Sequence, residues 1–182
     1  MPVSYDQIYL DTKNLIRKYK SRNPKEILED RGVFLLPFST RTKLLGMYKI
    51  IKRNRFVFYN PYVDDPIINM VLAHELGHDF YHRDEVKNGL AEYQLFDINT
   101  DMEIEANIFA AHLLINEDSL MDDINLGYTY NELASLYDVN VNLMIFKLNE
   151  MHRMGMPVGR NETDSKFFTQ IDGSNENFGK WK

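Results

Sequence analysis

His74-Glu75-Leu76-Gly77-His78 is the stretch around which the rest of the chain is organised. It continues an apolar run from Pro66 to Ala73 that predicts a helix. Helical residues four apart lie one turn above each other, so His74 and His78 project side by side and can bind one metal ion. Glu75 borders the same face, where a carboxylate can take a proton from a metal-bound water. The stretch therefore predicts a hydrolytic metal centre.

Two histidines at this spacing could also be ordinary core or surface residues. The chain has only five histidines among 182 residues, so a chance match to this pattern is uncommon. The apolar residues before His74 would bury that turn and fix both imidazoles on a rigid element. We therefore favour the metal-site interpretation.

A second apolar helix, predicted to begin after Thr100-Asp101, carries the candidates for a third ligand. Buried carboxylates are costly unless they are paired or bound to metal, so Glu103 would complete a His-His-Glu site with one open position. Asn107, one turn on, could hydrogen-bond the second ring nitrogen of a ligand and orient it. Glu105 is the rival ligand, and both glutamates could instead be solvated acids that favour a helix N-terminus.

The remaining histidines near these helices are predicted to be structural. His82 shares a helical face with His78, but three histidines in a row span two turns, and one ion cannot easily reach both ends. We expect His82 to support the site from outside the metal, and His112, which lies off the Glu103 face, to be structural.

Whole-chain composition excludes several classes of protein and site. A net charge of −6 argues against broad phosphate-backbone binding, so we expect no direct contact with nucleic acid. The absence of cysteine excludes disulfide scaffolds and thiolate zinc sites. The N-terminus is polar and lacks the apolar core of a signal peptide, and no apolar run reaches the length of a membrane span, which favours a cytoplasmic protein without a membrane partner.

The stretches before the central helix predict a small sheet. Residues 33–38, 43–52 and 55–59 are rich in β-branched and aromatic residues, with a turn expected at Arg53-Asn54. We expect an α+β fold in which a small antiparallel three-stranded sheet packs on a helical core that carries both metal helices. The sheet could offer an edge for an extended substrate, or it could only cover the helix. Residues 84–100 are expected to form a loop or a short broken helix.

Residues 1–158 are predicted to form a single metallopeptidase-like domain. Residues 159–182 are rich in Gly, Asn, Ser, Asp and Glu, which is typical of a polar, flexible C-terminal tail. Two short helices around Asp138-Val139-Asn140 have the spacing of a DNA-binding helix-turn-helix. The second of them, from Val141, is mostly apolar with few basic residues, so we expect it to be core.

Two motifs together carry a family resemblance. Ala73–His78 is followed by His82-Arg83-Asp84 and then by Glu103–Leu114, which has the pattern E-x-x-A-N-x-F-A-A-x-L-L. This combination resembles the ImmA/IrrE family of HExxH, gluzincin-like zinc metallopeptidases. The resemblance extends over roughly residues 25 to 155.

The resemblance implies a Zn2+ ion at His74, His78 and Glu103, with Glu75 as the catalytic base. It implies a zinc metalloendopeptidase, encoded by a phage or another mobile element, that cleaves a helix-turn-helix transcriptional repressor. The alternative is a non-catalytic, metal-stabilised binding module or an antitoxin-like partner of a regulator, because folding alone can use the same metal. The ligand types also suit manganese.

Overall fold

The computed structural model describes residues 2–84, the backbone of 90–92, and residues 100–158. Helices and one small sheet make up this part of the chain, and the predicted α+β class is confirmed. The elements, in chain order, are α1 Tyr5–Tyr19, α2 Pro24–Asp30, β1 Val33–Pro37, β2 Gly46–Ile51, β3 Asn54–Tyr59, α3 Asp65–Tyr81, β4 Leu90–Glu92, α4 Asp101–Leu114, α5 Glu117–Asn125, α6 Tyr130–Leu136 and α7 Val141–Arg153.

Side-chain caps fix where several helices begin. Ser4 Oγ accepts from the backbone N–H of Gln7 at 3.2 Å, and Thr100 caps α4 through the N–H of Glu103. Thr129 and Glu132 form a full capping box at the start of α6, with the Glu132 carboxylate accepting from the Thr129 N–H at 2.8 Å. These ends are therefore encoded locally in the sequence.

The sheet differs from the all-antiparallel, three-stranded arrangement expected from the sequence. Its order is β1-β3-β2-β4, and β1 pairs with β3 in parallel while β2 is antiparallel to β3 and β4. Strand direction alternates from β1 to β2 to β3, so placing β3 rather than β2 beside β1 makes that pair parallel. The eight residues between β1 and β2 allow this crossing over the end of β3, and no local pattern encodes it.

Two local expectations are corrected as well. Lys52 and Arg53 have φ angles of 48° and 68°, so they form the two-residue hairpin turn, and Asn54 already pairs with Ile51. The turn therefore comes one residue earlier than predicted. The segment from 84 to 100, expected to lack strands, contains β4 against β2.

Helix α4 lies at the centre of the helical part and contacts α1, α3 and α7. The inner face of the sheet packs on α3, with Tyr48 and Val57 fully buried. Leu143, Met144 and Leu148 of α7 are buried in the same core, which confirms the prediction that this helix is core. No described helix combines the length and apolar character needed to cross a membrane. The predicted tail, 159–182, lies outside the described residues, and the domain boundary at 158 stays a prediction.

Candidate metal centre

Three side chains from α3 and α4 converge on one point. The Nε2 atoms of His74 and His78 are 2.9 Å apart, and the Glu103 carboxylate oxygens lie 3.1 Å from His74 Nε2 and 3.5 Å from His78 Nε2. Tetrahedral zinc with bonds of about 2.0–2.1 Å requires ligand atoms about 3.3 Å apart. The three groups therefore fit one ion and could hold it without movement of either helix.

A close crossing of the two helices brings the ligands together. A Cβ atom at Gly77 would lie 3.0 Å from Ala106 Cα and 3.3 Å from Ala106 Cβ. Gly77, between Glu75 and His78, therefore lets the backbones approach where any larger residue would push them apart. Glu103, less than one turn before Ala106, reaches both histidines as a result.

Asn107 orients the first histidine. Its Oδ1 lies 2.8 Å from His74 Nδ1, and both side chains are buried. An amide oxygen can only accept, so Nδ1 carries the proton and donates. That tautomer leaves the Nε2 lone pair of His74 directed at the shared point, which is the role expected for a residue outside the metal shell.

A longer chain of hydrogen bonds orients the second histidine. His78 Nδ1 lies 2.9 Å from His82 Nδ1, and His82 Nε2 lies 2.9 Å from Glu105 Oε2. The carboxylate of Glu105 also accepts from the Val3 N–H at 2.8 Å. One placement of the ring protons is consistent with all of these contacts: His78 Nδ1 donates to His82 Nδ1, and His82 Nε2 donates to Glu105. Glu105 therefore holds His82 instead of facing the ligand group, and sequence reasoning missed this link.

The charge states suit metal binding at neutral pH. Burial, together with the neighbouring His74, lowers the pKa of His78 to about 4, so its imidazole is neutral. Burial alone would raise the pKa of Glu103, but its close contacts with His74 and His78 outweigh that effect and hold the pKa well below its usual range. A neutral imidazole and an ionised carboxylate are the forms that coordinate zinc.

Glu75 is fully buried on α3 between the two histidines, and its carboxylate faces the first residue of β2. A Cβ atom at Gly46 would lie 2.8 Å from Glu75 Oε1 and 2.4 Å from Val71 Cγ1. Only glycine leaves room there, so the start of β2 and Glu75 occupy adjoining space.

Asp79, directly after the second histidine, is a further important residue that sequence reasoning missed. Its buried carboxylate accepts from the Tyr48 hydroxyl at 2.9 Å, from Arg31 at 2.8 Å and from Arg55 at 2.8 Å. Burial opposes ionisation, but these donors outweigh it and lower the pKa of Asp79. The network fastens the metal helix to β2 and β3, and an unexplained carboxylate on an apolar helix was its sequence signal.

A second buried polar cluster lies at the other end of α4. Lys147 Nζ lies 3.1 Å from His112 Nδ1 and 3.4 Å from Glu117 Oε2, and Glu150 Oε2 lies 4.0 Å from His112 Nε2. Lys13 and the Tyr9 hydroxyl also contact Glu117. Burial and the Lys147 charge lower the pKa of His112 to about 3. Because an ammonium group already balances the carboxylates, this cluster is a structural one.

Comparison with known proteins places the chain in a family. The family Peptidase M78, described as IrrE N-terminal-like domain, matches residues 28–149. An "Uncharacterized immunity region protein 2" of Bacillus phage phi105 is 29% identical over 143 residues, which cover 79% of this chain and 90% of that relative. The matched family span contains both metal helices. The chain therefore belongs to the Peptidase M78 family of IrrE N-terminal-like domains, and the resemblance to ImmA/IrrE proteins is confirmed.

Proposed function

We propose that the chain is a zinc-dependent endopeptidase that cleaves a regulatory protein, with a helix-turn-helix repressor as its substrate. The observation that carries the proposal is the convergence of His74, His78 and Glu103 at coordination distances, beside the buried Glu75. Membership of a peptidase family supports the reaction class.

His74 and His78 are the neutral ligands in this proposal, and Glu103 is the anionic one. Asn107 and His82 hold the two imidazoles in the tautomers that point Nε2 at the ion. A bound zinc ion would supply a Lewis acid that polarises a carbonyl and acidifies a water molecule. With three protein ligands, a bound ion would stay accessible to water and substrate, as catalytic zinc sites require.

Glu75 is the general base. Its carboxylate accepts a proton from the attacking water and then donates it to the nitrogen of the departing amine. Burial of Glu75 next to the backbone at Gly46 keeps the carboxylate from turning away. Proton transfer of this kind contributes about 10²–10⁴-fold to a hydrolytic rate.

The substrate is proposed to bind as an extended strand along the sheet. Within the described residues the sheet ends at β4, which pairs with β2 from Gly46 to Tyr48. This is the end of β2 that adjoins Glu75. A peptide added along the outer edge of β4 would gain main-chain hydrogen bonds and lie one strand away from the end of β2 that adjoins the base.

The choice of a repressor as substrate rests on the family resemblance and on the phage relative, whose name refers to an immunity region. Repressors act on DNA in the cytoplasm, so we place the reaction there. Zinc is preferred over manganese because two imidazoles and one carboxylate suit a tetrahedral site with one open position.

The test uses the full chain, a repressor encoded by a neighbouring gene, and added zinc, with and without a chelator. Purified wild-type protein is expected to contain one zinc per chain and to give chelator-sensitive fragments. Glu75→Gln is expected to retain the zinc while the cleavage rate falls by about 10²–10⁴-fold. Glu29→Gln, which changes an exposed carboxylate on α2, is the matched control and should cleave normally.

Two outcomes would contradict the proposal. Turnover retained in Glu75→Gln would remove Glu75 from the mechanism. A stable wild-type complex with zinc bound and no fragments would favour the alternative of a non-catalytic binding module.

A further inference from the structure

The outer face of the sheet is apolar and exposed. Side chains alternate along the strands, so residues paired across β1, β3 and β2 share this face, away from α3. Phe34 is 53% exposed, Leu36 40% and Ile51 41%. Within the described residues, none of the apolar side chains of this face packs against the core: Phe34, Leu36, Met47, Ile51, Phe56 and Phe58. Contiguous apolar surface of this kind marks a binding site.

Four phenylalanines form a continuous row across this face. The ring centroids of Phe34 and Phe56 are 5.3 Å apart, those of Phe56 and Phe58 6.1 Å, and those of Phe58 and Phe38 6.2 Å. The successive planes are within 26° of parallel. The four rings therefore form one ordered, contiguous aromatic patch on this face.

The same segment is strongly cationic. Residues 31–63 contain seven of the 21 Lys and Arg residues and none of the 27 Asp and Glu residues. Arg31 and Arg55 are used to bind Asp79 on the inner side. The other five form no ion pair with any described residue; they are Arg41, Lys43, Lys49, Lys52 and Arg53. The chain-wide charge of −6 hides this concentration.

The register places these five cations around the aromatic row. Lys49 pairs with Phe56 on the outer face. The turn Lys52-Arg53 lies at the strand ends beside Phe34, because Val33 pairs with Arg55. Arg41 and Lys43 lie in the connection from Phe38 to β2, at the opposite end of the row. Positive charge therefore lies at both ends of the aromatic row and at its middle.

We propose that this face binds single-stranded nucleic acid, with bases on the phenylalanine row and phosphates on the five cations. Aromatic rings on an open sheet combined with basic residues are the two components of single-strand recognition. A duplex hides its base faces and cannot use the rings. An acidic protein could pair with the cations and cover the apolar area, but its binding would not require four aligned aromatic rings. The proposal is independent of the peptidase activity.

The experiment measures fluorescence anisotropy of labelled dT20 and rU20 with the full chain at low salt, and a duplex of equal length as control. We expect the single strands to bind and the duplex to bind at least tenfold more weakly. The DNA and RNA arms identify which strand is preferred. Each phosphate contact contributes about −0.7 to the slope of log K against log salt, so five contacts predict a slope of about −3.5.

Two sets of variants distinguish the contribution of base stacking to binding from the contribution of the basic side chains. Phe34→Leu/Phe56→Leu keeps an apolar face without aromatic rings and should weaken dT20 binding at least about thirtyfold, since each stacked base is worth about 1–3 kcal/mol. Lys49→Glu/Lys52→Glu/Arg53→Glu should flatten the salt slope by about 2. The control Arg17→Glu/Lys18→Glu/Lys25→Glu makes the same charge change on exposed α1 and α2 positions and should leave binding unchanged. Circular dichroism melting shows that each variant is folded.

Four results would overturn the proposal. These are no binding of either strand by wild type, equal affinity for the duplex, unchanged binding by the folded leucine variant, and displacement of dT20 by poly-L-glutamate at equal charge concentration. The last result would assign the face to an acidic protein instead. None of them bears on Glu75, so failure here is distinguishable from failure of the peptidase proposal.

Discussion

Helix α4 has a buried cluster of histidine and carboxylate at each end. At its N-terminal end Glu103 faces His74 and His78, and no Lys or Arg of the described residues pairs with that carboxylate. At its C-terminal end, His112 and Glu117 both contact the ammonium group of Lys147. The residue types are similar, but the source of positive charge differs.

The difference explains why only one end is a candidate metal centre. A buried carboxylate needs a cation, which can be a side chain or an ion. Lys147 provides it at one end, so that cluster stabilises the packing of α4 against α7. The other end lacks such a side chain, and the pair of imidazoles with Glu103 suits an exchangeable divalent ion.

The largest effect is expected when the structural cluster loses its carboxylate charge. Glu117→Gln leaves the Lys147 ammonium buried without its nearest anion, so the free energy of unfolding should fall by about 3 kcal/mol. Lys13→Met removes the more exposed partner of the same carboxylate and should cost less than about 1 kcal/mol. Urea unfolding at pH 7 with chelator present measures both. Equal losses would mean that Lys147 does not depend on Glu117.

The matching change at the N-terminal end of α4 should weaken metal binding and leave the stability of the fold nearly unchanged. In the proposed site Glu103→Gln removes a direct ligand, so zinc affinity should fall by more than the 10–100-fold that is typical of a residue that only orients a ligand. The metal-free variant should unfold within about 1 kcal/mol of wild type, because this carboxylate borders solvent and balances no buried side-chain cation. Competition with a chromogenic chelator gives the affinity. Normal zinc affinity in this variant would refute the assigned ligand set.

Acid should weaken the structural cluster through His112. The pKa of this imidazole is about 3 in the folded protein and ordinary, near 6.5, in the unfolded chain. The unfolded state therefore binds the proton first, and stability falls as pH drops below about 6.5. Between pH 7 and pH 5 the loss due to His112 is about 2 kcal/mol. The lowered pKa of His78 adds a separate loss in the metal-free protein, and a change at His112 leaves that loss in place. The lowered pKa of Glu117 acts only below about 4.5 and does not contribute in this range.

His112→Gln keeps an acceptor for Lys147 but cannot take the proton, so it should remove this loss. Unfolding free energies of both proteins at pH 7 and pH 5, with chelator present, measure the effect. Equal pH dependence in the two proteins would exclude His112 as its origin.

The smallest effect is expected from the hydrogen-bond chain behind His78. His82→Phe keeps the bulk but breaks the link between His78 and Glu105, so zinc affinity should fall about tenfold. Phe80→Leu, a half-buried residue two positions earlier in α3, serves as the control and should bind zinc normally. Unchanged affinity in His82→Phe would show that His78 is oriented without it.

The metal helices could be predicted because their chemistry is periodic. His74 and His78 share a face by spacing alone, and Glu103 stood out as a carboxylate in an apolar helix. Asn107 followed from the same periodicity. The placement of these four side chains in the structure agrees with that reasoning, because a helix fixes direction once its period is known.

Long-range pairings could not be predicted. The neighbour of β1 depends on how an eight-residue connection crosses the sheet, and the link from His82 to Glu105 joins different helices. Helix α5 was missed although Asn116 caps it and Glu117 and Asp118 occupy its first turn. The charge of residues 31–63 was present in the sequence but was averaged into the net value.

The contact of Gly77 with Ala106 has a consequence for how this protein can change over evolutionary time. Two main chains in contact act as a fixed spacer, so the gap between the imidazoles and Glu103 does not depend on the bulk of neighbouring side chains. Residues elsewhere on both helices can then change, while the spacing of His74, His78 and Glu103 is retained.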